Sequence, residues 1–330
     1  MKGPLSPSAV KRAAGIVVAA LFILAAAVVL LSRGSAWLAE IRATEWRVDL
    51  LPLLLSILLL ALSYLLTPQG WVWLCRAMSC DASRRELRSA WFVSQLGRYV
   101  PGKVWLLAGR AGYLRSRGMS MKRAAFTTGM EMLLTMASVG LVVFASVWWV
   151  EAGRISSHVR TLSVVSAALF LVLPLLSPVQ KLLLSRRARG GSDARAVVPT
   201  ATIARAVLLY SGLWAARGAS LFFWLIAFRL EGVEPAMVFL ATPLAWLAGY
   251  VAFLIPGGIG VREGVLASLI SVTQGRGPLL LLLFGQRVVL GLIELVTAVA
   301  FARHMRHLFG SAGRRNPQSG PTDPARRREP

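Results

Sequence analysis

Two short segments combine proline, glycine and charge within an otherwise apolar sequence. The first is Arg98–Lys103 (RYVPGK) and the second is Ile255–Glu263 (IPGGIGVRE). Proline and glycine interrupt helices, and both free backbone groups and bare charges are costly in hydrocarbon. A membrane protein keeps them together mainly where the backbone lines a polar cavity. Exposed backbone N–H groups beside arginine and lysine favour an anion as the bound group.

The residues predicted to contact a substrate come from these segments and from the stretch after the first. They are Arg98, Tyr99, Pro101, Gly102, Lys103, Arg110, Pro256, Gly257, Gly258, Gly260 and Arg262. The arginines and the lysine would contact a phosphate or another anionic group, and the prolines and glycines would shape the cavity. The alternatives are a kinked interfacial helix with snorkelling basic side chains for the first segment, and a solvated surface turn for the second.

Charges also interrupt the apolar segments that flank the two turns. Glu131 lies 30 residues after Pro101, and Arg287 lies 31 residues after Pro256. Opposite charges at matching positions predict an ion pair between Glu131 and Arg287. With Glu263, which becomes the likelier partner for one of the two if they do not touch, this pair would hold or switch a gate. A static structural ion pair is the alternative.

Catalytic constellations are not evident in the sequence. The three histidines are predicted to lie outside the hydrocarbon, and Cys75 and Cys80 do not have metal-ligand spacing. Gly97–Lys103 has the spacing of a nucleotide phosphate loop, but Val104 stands where that loop needs serine or threonine. We therefore predict a protein that is not an enzyme, with no catalytic residue, no metal and no cofactor.

The composition indicates a membrane protein. Of 330 residues, 56% are hydrophobic and only 15% are charged, against roughly 25% charged in soluble domains. Apolar runs of about 20 residues are long enough to cross a bilayer as helices. Full spans are predicted at 14–31, 50–75, 124–149, 161–180, 204–230 and 278–302. The first run is interpreted as a retained helix rather than a signal peptide. The predicted fold class is an all-α integral membrane protein.

Two further regions, 84–118 and 235–275, are interrupted near their middles by Pro-Gly. We predict that each is a re-entrant helical hairpin. Together with their flanking spans they form units 50–149 and 204–302, which have opposite orientations and so outline an inverted repeat. The alternative is that both regions cross fully, which gives eight spans.

The net charge of +23 is unevenly distributed among the loops between the predicted spans. Lysine and arginine are concentrated in alternate loops, as expected for cytoplasmic loops, so no nucleic-acid partner is predicted. The loops predicted to be inside are 76–88, 98–123 and 181–205, and those predicted outside are 32–49, 150–160 and 229–234. Both termini are therefore predicted to be cytoplasmic, in a multi-pass protein of the cell membrane. Residues 1–309 form the membrane domain, and 310–330 form a basic tail that is predicted to be disordered.

The order, spacing and polarity of the motifs follow a known pattern. They are RYVPGKVW from Arg98, then Gly118, Glu131, PGGIGVREG from Pro256, and Arg287. Over about residues 15–305 the chain resembles the flippase-like membrane domain of lysylphosphatidylglycerol synthetases. The resemblance implies translocation of a charged lipid, such as an aminoacyl-phospholipid or a polyprenyl-phosphate-linked sugar. We expect a stand-alone membrane domain, without the soluble aminoacyl-transferase domain of the bifunctional members.

Two other classes of function stay open at this point. One is an integral-membrane transferase that acts on a lipid phosphate, and the other is an accessory subunit of a lipid or glycan enzyme. The predicted partner is an anionic or glycosylated membrane lipid. The sequence is also compatible with a lipid-modifying partner enzyme and with a homo-oligomer.

Overall fold

The computed structural model describes residues 32–99, 104–150, 157–172, 197–252 and 255–312. All regular structure in these ranges is helical. The helices are α1 (32–43), α2 (Leu50–Leu66), α3 (Pro68–Ala77), α4 (Arg84–Gln95), α5 (Val104–Ser116), α6 (Met121–Trp149), α7 (Ser157–Val172), α8 (Thr200–Ala227), α9 (Pro235–Val251), α10 (Val261–Leu269) and α11 (Arg276–Ala312). Two short 3₁₀ turns, Leu96–Tyr99 and Pro256–Gly258, follow α4 and precede α10. The prediction of an all-α protein is confirmed.

Four helical stretches are long and apolar enough to cross a membrane. They are Leu50–Ala77, Met121–Trp149, Thr200–Ala227 and Arg276–Ala302, and each coincides with a predicted span. Their outer faces carry exposed aliphatic side chains, such as Leu51 at 71% and Val296 at 65% exposure. Soluble proteins rarely expose such continuous apolar surface, so these faces are suited to lipid.

The remaining predicted spans lie wholly or partly outside the described residues. The run 14–31 is outside them, and of the run 161–180 only the part within α7 is described. At the other end of the chain, α11 continues to Ala312. Residues 310–312, predicted to begin a disordered tail, are therefore helical, and the rest of that tail lies outside the described residues.

Proline and capping residues explain where the first helices break. Pro68 has no backbone N–H and suits the first position of a helix, so α2 ends and α3 begins at Thr67. Ser83 and Glu86 form a reciprocal capping box that starts α4. Partial burial raises the pKa of Glu86, but hydrogen bonds from Ser83 and the charge of Arg117 outweigh it and hold that pKa below its usual value.

The helices α4, α5 and α10 are too short to cross a bilayer. They have 12, 13 and 9 residues, which gives lengths of about 14 to 20 Å against a hydrocarbon core of about 30 Å. Each of these three helices is therefore shorter than a full span.

The first short pair of helices, α4 and α5, returns to the end of the molecule from which it began. Arg117, just after α5, forms an ion pair with Glu86 in the first turn of α4. At the same end, the Arg123 guanidinium donates to the carbonyl of Met78. The loop 76–88 and the end of the region 98–123, predicted to share one side of the membrane, thus lie together.

The second short pair, α9 and α10, begins and ends at the opposite end of the molecule. Beyond α10, the Thr273 N–H donates to the Glu231 carbonyl over 3.0 Å. There Arg229 pairs with Asp49 at 2.9 Å. The Gly277 N–H also donates to the Glu40 carboxylate over 2.6 Å. The loops 32–49 and 229–234, predicted to share the other side, lie together here.

The two halves of the chain interlock. The helix α2 packs along α8, α6 packs on α9, and α11 packs on α4. Each short helical pair is therefore held by the last long helix of the other half. Large aromatic residues fill the buried core around the first pair, including Trp71, Trp91 and Phe92. This packing brings the 3₁₀ turn Leu96–Tyr99 against the 3₁₀ turn Pro256–Gly258, at the contact between the two halves.

Candidate functional site

The two 3₁₀ turns contact each other. Gly257 has φ of +62°, a conformation that glycine adopts without steric cost. A Cβ atom at this position would lie 3.2 Å from Tyr99 Cε1 and 3.2 Å from Arg287 Nη2. Glycine is thus required here both for the backbone conformation and for the approach of the first turn.

A cavity of about 190 Å³ lies beside these turns and draws its lining from both halves. Five arginines and three glutamates line it, which leaves a net charge of +2 from the described residues. They are Arg98, Arg110, Arg217, Arg262, Arg287, Glu131, Glu263 and Glu294. Since a single water needs about 10–15 Å³ of such volume, the cavity has room for a phosphate-sized group with water.

One buried ion pair lies within the first half. Arg110 of α5 pairs with Glu131 of α6, and both side chains are at most 6% exposed. The indole N–H of Trp91 donates to the same carboxylate over 2.7 Å, and Arg110 Nε donates to the Ser94 hydroxyl over 3.1 Å. These hydrogen bonds offset the cost of burying both charges and fix the carboxylate.

A second ion pair connects the two halves. Arg98, in the first turn, pairs with Glu294 on α11. The Tyr99 hydroxyl donates to the other carboxylate oxygen of Glu294 over 2.6 Å. The carboxylate is 2% exposed, whereas the arginine is 21% exposed and so reaches the open part of the cavity.

The third ion pair is loose and lies within the second half. Arg287 Nη1 of α11 lies 3.9 Å from Glu263 Oε1, and Arg287 also donates to the Gly257 carbonyl. Glu263 accepts a 2.7 Å hydrogen bond from the Gly260 N–H and so caps α10. At 3.9 Å the ions do not form a hydrogen bond, and Arg287 Nη1 is buried without a hydrogen-bond partner in the described part of the chain.

Residues 12–293 match the model of the lysylphosphatidylglycerol synthase TM region, which is most of the chain. The chain belongs to this family. No curated protein and no solved structure matches it. Membership of the synthase TM family confirms the resemblance of the motifs and supports a role that involves membrane lipids.

In this family member the structure brings most of the predicted site residues together. Those that line the cavity are Arg98, Arg110, Gly257, Arg262, Glu131, Glu263 and Arg287. Tyr99 and Gly260 contribute through hydrogen bonds to glutamates of the lining, and Gly258 is buried against Gly249. Pro256 is exposed at the start of the second turn. The predicted residues Pro101, Gly102 and Lys103 lie outside the described residues.

The predicted ion pair between Glu131 and Arg287 is wrong. Within the described residues Glu131 pairs with Arg110, and the only carboxylate within 4 Å of Arg287 is that of Glu263. Matching offsets along the two halves indicated equivalent positions, but each residue faces the short helix of its own half. The ion pair that joins the halves uses Arg98 and Glu294 instead.

Several residues of the lining were not among the predicted substrate contacts. Glu294 and Arg217 could have been found, because an ionisable residue within an apolar span is itself a sign of function. The aromatic residues Trp91, Trp246 and Tyr250 gave no comparable signal in the sequence, since tryptophan and tyrosine also occur in ordinary cores and membrane interfaces. No cluster of His, Cys, Asp or Glu in the described ranges is suited to hold a metal ion.

Proposed function

We propose that this protein moves a lipid with an anionic headgroup between the leaflets of the cell membrane, without chemical change to the lipid. The observation that carries the proposal is the cavity, whose described lining has a net charge of +2. It lies where the 3₁₀ turns Leu96–Tyr99 and Pro256–Gly258 meet, between helices suited to span a membrane. Family membership supports a lipid as the substrate.

The cavity lining suits an amphiphile rather than a small ion alone. Beside the charged residues it has an apolar part, made of Leu60, Leu106, Leu107, Leu266, Leu283 and Leu290. The arginines would hold the headgroup, and the leucines would contact the beginning of the hydrocarbon chains. A lipid would in this way keep its headgroup in a polar environment while it crosses the hydrocarbon.

We place the two short helical pairs in the membrane as re-entrant hairpins of an inverted repeat. In this arrangement α4 and α5 enter from the cytoplasm, and α9 and α10 enter from outside. Three observations support it: the pairs begin and end at opposite ends of the molecule, their turns meet, and the basic loops lie at one end. The positive-inside rule then assigns both termini to the cytoplasm.

In this proposal the ion pair between Arg98 and Glu294 acts as the gate. It is the ion pair of the described cavity lining that joins the two halves, so any separation of the halves at this point must break it. An incoming anion competes with the carboxylate for Arg98. This gate replaces the one expected from Glu131 and Arg287.

Lipid transfer in proteoliposomes tests the proposal. Fluorescently labelled phosphatidylglycerol and phosphatidic acid are incorporated, and loss of fluorescence after addition of a membrane-impermeant reductant measures exchange between leaflets. We expect the protein to accelerate exchange over empty liposomes, and Arg98→Gln to slow it about tenfold or more, equivalent to about 1.4 kcal/mol.

The matched control is Arg229→Gln, because Arg229 pairs with Asp49 at an exposed surface away from the cavity. This variant should exchange lipid like the unmodified protein. Equal rates with and without protein, for every labelled lipid, would refute translocation. Recovery of a covalently altered lipid would instead indicate a membrane transferase.

A further inference from the structure

The five arginines of the cavity differ in how their charges are balanced. Arg98, Arg110 and Arg287 each have a glutamate within 4 Å. Arg217 and Arg262 have no carboxylate within that distance in the described part of the chain, although both line the same cavity. The net charge of +2 is therefore located on two identified guanidinium groups.

Arg217 is held in place by neutral groups. It lies in the middle of α8, where its Nη2 donates to the Thr67 hydroxyl over 2.8 Å. Its guanidinium also lies over the Trp214 ring, 4.8 Å from the ring centroid. These contacts orient the group without neutralising it.

Arg262 lies in the first turn of α10, next to the second Pro-Gly turn. Its aliphatic stem packs over Gly249, where a Cβ atom would lie 3.0 Å from Arg262 Cδ. In the described part of the chain its guanidinium makes no hydrogen bond or ion pair, and Nε is buried without a partner. A buried donor without a partner is costly, so Nε, together with the Nη groups that make no hydrogen bond in the described residues, is available for a ligand.

From this charge balance we infer that the lipid headgroup is a phosphomonoester or diphosphate with about two negative charges, bound between Arg217 and Arg262. The inference rests on the proposed translocation function and specifies the substrate class. A phosphomonoester has a second pKa near 6, so it carries about −1.5 to −2 at neutral pH. A phosphodiester lipid carries one negative charge, and a lysyl ester adds ammonium groups that the two arginines without a carboxylate partner repel.

Equilibrium binding to the purified full chain tests the headgroup charge. The probes are phosphatidic acid, phosphatidylglycerol, lysylphosphatidylglycerol and inorganic phosphate, each competed against labelled phosphatidic acid. We expect phosphatidic acid to bind about tenfold or more tightly than phosphatidylglycerol. Its binding should strengthen between about pH 5 and pH 8 as the monoester loses its second proton, whereas phosphatidylglycerol binding stays constant.

Variants connect this preference to the two arginines. Arg217→Gln and Arg262→Gln should each reduce the preference for phosphatidic acid to about twofold or less, and Arg262→Lys should retain most of it because the charge is kept. Arg229→Gln should bind all probes as the unmodified protein does. If a glutamine variant fails to fold, the pH dependence of the unmodified protein still decides the question.

Each result has a distinct meaning. Equal binding of the monoester and the diester, or a preference that survives both glutamine variants, overturns the dianion inference. Displacement by inorganic phosphate at the same concentration as the lipid shows a site for free phosphate and overturns the lipid assignment. Equal exchange of both lipids in proteoliposomes overturns the inference but leaves translocation intact. A binding preference without any lipid exchange supports the dianion site and refutes translocation.

Discussion

Ser56 and Ser220 exchange hydrogen bonds across the contact between α2 and α8. The Ser56 hydroxyl donates to the Ser220 carbonyl over 2.7 Å, and the Ser220 hydroxyl donates to the Ser56 carbonyl over 2.9 Å. Both residues are fully buried. From α11, the Gln286 side chain adds a 3.2 Å hydrogen bond to the Ser220 hydroxyl. Small residues allow the close helix approach that such reciprocal bonds require in a membrane.

The double-mutant cycle of Ser56→Ala and Ser220→Ala should show coupling. Hydrogen bonds between membrane helices contribute about 0.6 kcal/mol on average, so we expect a coupling free energy of about 0.5–1.5 kcal/mol. The measurement is the free energy of unfolding in mixed detergent micelles. Ser268→Ala is the control, because the Ser268 hydroxyl bonds only within its own helix, and it should change little. Purely additive losses would show that the two bonds are independent of each other.

Two further double-mutant cycles compare the observed ion pair with the one that was expected. Arg98→Gln with Glu294→Gln should show coupling of about 1 kcal/mol or more, because the two side chains share a buried ion pair. Glu131→Gln with Arg287→Gln should be additive within about 0.5 kcal/mol, since these residues share no partner. Thermal and chemical unfolding of the four variants and the two doubles provide the values. The reverse pattern would contradict the pairing described here.

This difference shows what could be read from the sequence and what could not. Apolar run length, together with Pro101 and Pro256, predicted the long helices and the two interrupted regions, and the distribution of lysine and arginine predicted which loops lie at the same end. It also placed Glu131 and Arg287 at matching positions along their helices. The position of a residue along a helix does not determine which neighbouring helix its side chain faces. That depends on how helices pack laterally, and here α6 turns Glu131 toward α5 of its own half.

Substitution at Gly258 should be strongly destabilising. Gly258 has φ of +67°, and a Cβ atom there would lie 2.8 Å from the backbone of Gly249, which cannot yield as a flexible side chain would. We expect Gly258→Ala to cost at least about 2 kcal/mol and to slow lipid exchange. The control is Gly264→Ala on α10, because a Cβ atom at this position would have no other atom within 4 Å. This substitution should stabilise the protein by about 0.5–1 kcal/mol. If Gly258→Ala leaves the free energy of unfolding unchanged, the turn must relax to accommodate the methyl group.

Cysteine labelling from one side of the membrane tests the orientation. Ser35→Cys and Asp81→Cys place thiols at exposed positions near the two ends of the molecule. In intact cells an impermeant maleimide should label the variant at position 35 and should label position 81 only after permeabilisation, as the positive-inside rule requires. Cys75 and Cys80 are first replaced to remove background. Labelling of position 81 alone in intact cells would reverse the topology.

The contact between the two turns has a mechanical consequence. Through Glu294, α11 holds Tyr99 of the first turn, and through Arg287, seven residues earlier, it holds the Gly257 carbonyl of the second. The Tyr99 ring also faces Gly257 directly. Both bonds come from one helix, and the two turns that they hold also contact each other. The turns are therefore fixed relative to each other while these bonds persist. Sliding or rotation of α11 that keeps these bonds must therefore move both 3₁₀ turns in the same step.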